Sequence, residues 1–139
     1  MRGAARILLT VLVVASAAVA GAFAPTGRYV VSEAEVLDTR TGLTWQRGTS
    51  AAGLTWQEAR AYCQSPWRLP SARELASLVD VTTAWPAIDT DAFPDTPVED
   101  YWTATPCAFN PGSAWYVEFR WGQVYNNLYE SHYWARCVR

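Results

Sequence analysis

Residues Trp67-Arg68-Leu69-Pro70-Ser71-Ala72-Arg73-Glu74-Leu75 fix a chain direction, a helix start and an apolar face within one short stretch. Pro70 disfavours helix at Leu69. Ser71 and Glu74, three apart, form a capping box in which each side chain accepts from the other residue's backbone N–H. A helix is therefore predicted to open at Ser71. Leu75, Leu78 and Val79 at i, i+3 and i+4 give it one apolar face, onto which Trp67 and Leu69 pack. A second box, Thr55 with Glu58, starts an earlier helix that Ala59, Tyr62 and Cys63 continue to the Ser65-Pro66 break.

Strand patterns surround this helical pair. Tyr29-Val30-Val31 reads as a short edge strand. Residues 36–47 read as a hairpin, with Leu43 and Trp45 alternating against Thr44 and Gln46 beyond a tip where Gly42 takes φ > 0. Between Asp80 and Pro111 five prolines interrupt acidic and aromatic residues, and only Tyr101-Trp102-Thr103 looks like a strand. A loop region of that length is usually functional or held by its own packing. Trp115, Val117 and Phe119 then alternate with Tyr116, Glu118 and Arg120, Trp121-Gly122 turns, and Gln123-Val124-Tyr125 starts the return strand. Residues 133–139 are predicted as a closing strand. Hairpin, two helices, long irregular loop and small antiparallel sheets make an α+β arrangement.

Two arginines precede an uncharged run from Ile7 to Ala20 and small residues at Ala18, Ala20, Ala22 and Ala24. Residues 1–24 thus read as a signal peptide and 25–139 as one domain, secreted or periplasmic, with no membrane contact after cleavage. All eleven basic residues are Arg; nine stand in 25–139 against thirteen acids. That balance disfavours nucleic acid as a partner. Three cysteines in an exported chain invite one disulfide and one free thiol. The pairing taken is Cys63 with Cys137, which would tie the first helix to the closing strand and leave Cys107 free.

The ordered set Val36-x-Asp38-x-x-Thr41-Gly42-Leu43-x-Trp45, Thr55-Trp56-x-x-Ala59-x-x-Tyr62-Cys63, Trp67-Arg68-Leu69-Pro70-Ser71-x-x-Glu74-Leu75-x-x-Leu78, Tyr101-Trp102-Thr103, Ala114-Trp115-Tyr116-Val117-x-Phe119-x-x-Gly122 and Arg136-Cys137-Val138-Arg139 resembles the bacterial Lcl C-terminal-like domain family. The resemblance covers nearly all of 25–139. It implies a variant of the C-type lectin-like fold, in which a disulfide joins the first helix and the last strand. It also implies adhesion, with sulfated polysaccharide as the founding member's ligand class. A sulfated ligand calls for clustered cations, whereas this domain is net acidic. The calcium-binding triplets of sugar-binding lectins, Glu-Pro-Asn or Gln-Pro-Asp and then Trp-Asn-Asp, do not occur here.

His132 is the only histidine, and no nucleophile elbow, H-E-x-x-H or phosphate loop is present. Asp89, Asp91, Asp95, Glu99 and Asp100 crowd the long loop. They are the candidates should calcium bind, although their spacing fits no EF-hand, and Asp89-x-Asp91 equally suits capping the turn before Phe93. No cofactor is otherwise expected. Arg68 reads as structural, pairing with Glu74 or Asp80. Of the eight tryptophans, Trp45, Trp56, Trp67, Trp102 and Trp115 sit at inward positions. Trp121, Tyr125, Asn126, Asn127, Tyr129 and Tyr133 are harder to bury. Their rings and amides suit stacking on sugar rings and bonding hydroxyls, and suit protein interfaces as well. The expectation is a non-catalytic recognition module binding carbohydrate. An envelope or extracellular protein partner is the alternative, and a small cysteine-dependent enzyme using Cys107 a third reading.

Overall fold

The computed structural model describes residues 27–139; the leader expected over 1–24 lies outside the described residues. Two antiparallel three-stranded sheets frame two short helices. The first sheet orders β1 (Tyr29–Val31), β2 (Glu35–Asp38) and β3 (Leu43–Gln46). Helices α1 (Trp56–Tyr62) and α2 (Ala72–Ala76) follow. The second sheet orders β4 (Asp100–Pro106), β5 (Ser113–Glu118) and β6 (Gln123–Leu128).

Both capping boxes are present. Ser71 and Thr55 each accept from the N–H three residues on, while Glu74 and Glu58 reach back to the cap backbone. Arg68 donates twice to Glu74, at 2.8 and 2.7 Å, so one carboxylate holds both the cap and the strand-like segment before it. That pairing, reinforced by the Ser71 N–H, lowers the Glu74 pKa to about 2. The predicted apolar face outlasts its helix. Helix α2 ends at Ala76, yet Leu78 is buried and Val79 partly so, because Leu78 N–H and Val79 N–H bond back three residues in a tightening turn.

Two apolar clusters lie on opposite faces of the second sheet. Alternation along β4 sends Tyr101 into one, with Trp45, Leu75, Phe93, Val117 and Phe119, and Trp102 into the other, with Trp56, Ala59, Leu69 and Ala114. Trp45, Trp56 and Trp102 are buried as their pattern requires, whereas Trp67 and Trp115 are only half-buried. Arg139 covers the Trp67 ring at 4.9 Å and Phe109 packs edge-on against Trp115.

Residues 133–139 are not the continuous strand their alternation predicts. They cross between elements through isolated bridges: Tyr133 to Leu54, Trp134 to Tyr101, and Val138 to both Trp45 and Arg68. Changing partner every residue or two forbids a regular ladder while letting the segment join both sheets. Within it Arg136 is buried, its guanidinium over the Phe93 ring and donating to the Gln46 and Arg47 carbonyls and to Thr96 Oγ1. Burial brings its pKa down to about 10, so it stays charged at neutral pH. Cys63, the C-cap of α1, bonds to Cys137 across 74 residues with Cα atoms 5.5 Å apart.

Closing a loop of that length stabilises a fold by about 4 kcal/mol in the chain-entropy model. Denaturant titration of Cys63→Ala/Cys137→Ala is therefore expected to show a loss of up to about 4 kcal/mol; an unchanged midpoint would contradict that role. Glu74 supplies a second prediction. A carboxyl held down by its partners contributes fully above its ordinary pKa near 4.5 and loses that contribution as pH falls toward about 2. Glu74→Gln is expected to lower stability at neutral pH and to flatten its decline over that acid window.

Candidate binding surface

The β5–β6 hairpin is built around one carboxylate that the sequence did not single out. Glu118 accepts from the backbone N–H of Arg120 at 2.9 Å, of Trp121 at 3.1 Å and of Gln123 at 3.2 Å. Gly122 completes the turn at φ +79°. A Cβ there would stand 2.3 Å from Val79 Cγ1, so the turn is also wedged against the end of the α2 region. With the turn fixed, so is the register: Tyr116 faces Tyr125, and Trp102 faces Tyr116.

That register lays a row of Trp102, Tyr116 and Tyr125 across one face of the sheet, beside a row of Asp100, Glu118 and Gln123. Tyr133, brought in by the closing segment, tilts onto both Trp102 and Tyr116 with ring centroids 4.6 Å apart in each case. Its hydroxyl accepts from Asn127 Nδ2 at 2.6 Å. Tyr125 is 48 % exposed, lies 6.0 Å from the Tyr116 ring, and donates its hydroxyl to Gln123 Oε1. Burial raises the pKa of the Tyr116 phenol, with the Asp100 charge adding to it. Burial, then the Glu118 charge, likewise raises that of Asp100. The result is a set of phenols and amides held in place by one another.

Of the six candidate ligand residues, Tyr125, Asn127 and Tyr133 come together here. Tyr116, Gln123 and Asp100 join them unforeseen; the signal for Tyr116 is the period-two alternation on either side of the Trp121-Gly122 turn, which sets it across from Tyr125 only in the observed register. The other three go elsewhere. Asn126 points to the opposite face, its Oδ1 accepting from Asn110 Nδ2 at 3.0 Å. Tyr129 stacks on Trp56 at 4.3 Å and 10°, half-buried, with Arg60 at 4.8 Å from the Trp56 ring. Trp121 meets Trp85 of the long loop edge-on at 5.5 Å. Both are 57 % exposed, Arg120 lies 5.2 Å from the Trp85 ring, and Trp85 adopts φ +60°, a region bulky residues rarely enter.

The five loop acids do not converge. Asp89 is buried and its Oδ1 accepts from the N–H of Asp91 and Ala92, both at 3.0 Å, which is the turn-capping role. Asp91, Asp95 and Glu99 are exposed, and Asp100 sits on β4. Among the described residues no three His, Cys, Asp or Glu side chains gather as a metal set. Arg68 takes its structural role on Glu74. His132 is exposed, while Cys107 is free and buried, with its N–H donated to the Ser113 carbonyl.

A family model described as the Lcl C-terminal domain matches residues 34–139. No curated protein matches the chain. For Cys107 the burial makes a direct prediction. Ellman's reagent is expected to leave the native chain unmodified and to titrate one thiol after denaturation without reductant. Rapid reaction of the native thiol would contradict that burial and support the cysteine-dependent reading.

Proposed function

We propose that this chain, which belongs to the Lcl C-terminal domain family, is an exported non-catalytic recognition module that holds carbohydrate on the tyrosine and amide face of its second sheet. The observation that carries the reading is the half-exposed Tyr125 ring beside Tyr116, on which Tyr133 also packs, with Gln123 bonded to the Tyr125 hydroxyl and Asn127 to that of Tyr133. Such a face offers the C–H side of a sugar ring a flat apolar partner. It also offers sugar hydroxyls amides and phenols that lose little rotamer freedom on binding.

The carboxylates of Asp100 and Glu118 stand on this face with the Arg120 cation near Asp100, and Glu118 is already held by three backbone N–H groups. A neutral glycan suits such a surface better than the sulfated class the family resemblance suggests. Export to the periplasm or beyond is supported by the apolar leader and by the Cys63–Cys137 bond. No helix among the described residues is long and apolar enough to cross a membrane. A C-type lectin-like assignment is supported by α1 joined to the closing segment through that bond and by the long loop region before β4.

One observation favours a protein partner as a second reading. Trp85 and Trp121 are exposed large aromatics with an arginine beside them, the residue types that dominate protein interfaces. Calorimetry of the purified chain against neutral oligosaccharides separates the two. Tyr125→Ala is expected to weaken glycan binding about tenfold, the scale of one lost ring contact, with the thermal midpoint unchanged. Absence of any glycan signal, together with capture of one envelope protein that Trp121→Ala abolishes, would replace the first reading by the second.

A further inference from the structure

Strand β6 is the outer strand of its sheet, with β5 on one side and no strand on the other among the described residues. The bond from Tyr129 N–H to the Gly112 carbonyl sets the phase of the ladder. Antiparallel bonds recur at every second residue, so Gln123, Tyr125 and Asn127 address β5 while Val124, Asn126 and Leu128 turn their N–H and C=O outward. At Leu128 both groups are already used: the N–H donates to Asn127 Oδ1 at 2.9 Å and the carbonyl accepts from Ser131 N–H at 3.0 Å. Val124 and Asn126 keep open main-chain groups. Their strand, Gln-Val-Tyr-Asn-Asn-Leu, has no charge, proline or glycine to blunt it, and edges of that kind pair with another chain.

We propose that β6 docks antiparallel against β6 of a second copy of this chain, about a two-fold axis passing at Tyr125. In that register Val124 faces Asn126 of the second copy on either side of the axis, and the two pairs form four main-chain hydrogen bonds. Centring the axis on Asn126 instead gives two, because Leu128 has nothing left to offer. The side chains match themselves in the Tyr125 register. On the tyrosine face Tyr125 meets its own counterpart, flanked by Gln123 against Asn127. On the other face Val124 stands beside Asn126, with half-exposed Leu128 beyond. No like charges are opposed although the chain is net acidic, and an isologous contact needs that kind of self-complementary strip. The pairing would merge two three-stranded sheets into one of six strands and bring two tyrosine faces side by side. That last consequence would let a polymeric glycan engage both protomers, and it rests on the carbohydrate reading; the dimer does not.

Sedimentation velocity of the purified chain over a wide concentration range tests it. The mass is expected to pass from one chain to two and to stop there. Val124→Pro removes an outward N–H that β5 does not use, and Val124→Lys places a cation on the edge. Either is expected to give one-chain mass at every concentration with little change in thermal midpoint. Tyr125→Cys is expected to yield a disulfide-linked dimer on oxidation, since opposed residues of a non-hydrogen-bonded pair approach most closely, and Asn127→Cys to yield none. A chain that stays single at its highest soluble concentration would overturn the proposal. So would growth beyond two chains, or a dimer that survives Val124→Lys and fails to cross-link at position 125. None of these outcomes depends on whether a glycan binds.

Discussion

Residues 133–139 hydrogen-bond to both sheets and to the segments flanking the helices, and the rest of the molecule depends on that convergence. Gln46 N–H reaches the Cys137 carbonyl, Thr44 and Arg139 exchange two bonds, and Val138 exchanges two with Arg68. Trp134 bonds Asp100 and Trp102, Tyr133 exchanges two bonds with Leu54, and Ala135 N–H donates to Ser50 Oγ. Neither sheet alone buries enough apolar surface to stand in water, since three short strands are near the lower limit for independent stability. Joined through one segment and one sulfur bridge, they share the core that brings Val36 and Trp45 of the first sheet against Tyr101 and Val117 of the second. Arg136 adds selectivity to the join: a buried guanidinium whose Nη1 is held by carbonyls of β3 and the loop after it, and whose Nη2 is held by Thr96, tolerates little displacement of any of them.

The same segment assembles the proposed recognition surface. Trp134 is pinned between Asp100 and Trp102 by two main-chain bonds, which delivers the preceding Tyr133 onto the Trp102 and Tyr116 rings. The hairpin turn, fixed by Glu118 and Gly122, brings Tyr125 and Asn127 to the same face from the other side. The core and the proposed surface therefore share parts. The Tyr133 ring packs against the second core while its hydroxyl joins the surface amides. Tyr125, further out on β6, contributes mostly to the surface. A face assembled this way would need little further ordering to take the proposed ligand.

The local features were legible from single residues. Both capping boxes, the β2–β3 hairpin and the inward tryptophans of β3, α1 and β4 follow from spacing alone, because the partners lie within a few positions of one another. The Cys63–Cys137 bond, chosen from three cysteines, is present. Features that depend on distant chain were harder to see. The closing segment alternates like a strand, but its neighbours change along its length, and periodicity does not encode partner identity. The six surface candidates follow one another in sequence from Trp121 to Tyr133. A strand sends successive side chains to opposite faces, so Asn126 departed from Tyr125 and Asn127, while Tyr129 was taken up by Trp56. Tyr116 and Asp100 were readable only after the hairpin register was known. Glu118 resembled an exposed member of an alternating strand and instead satisfies its own turn.

Native-state hydrogen exchange tests the role of the closing segment most directly. If residues 133–139 hold both sheets in one cooperative unit, the amides of Gln46, Arg68, Trp102 and Val138 will exchange only through global unfolding, with a common free energy equal to that from denaturant titration. Exchange of the Arg68, Trp102 and Val138 amides several kcal/mol below that of Phe119, whose N–H bonds the Glu99 carbonyl, would mean that the segment opens while the second sheet stays folded, and would contradict the account.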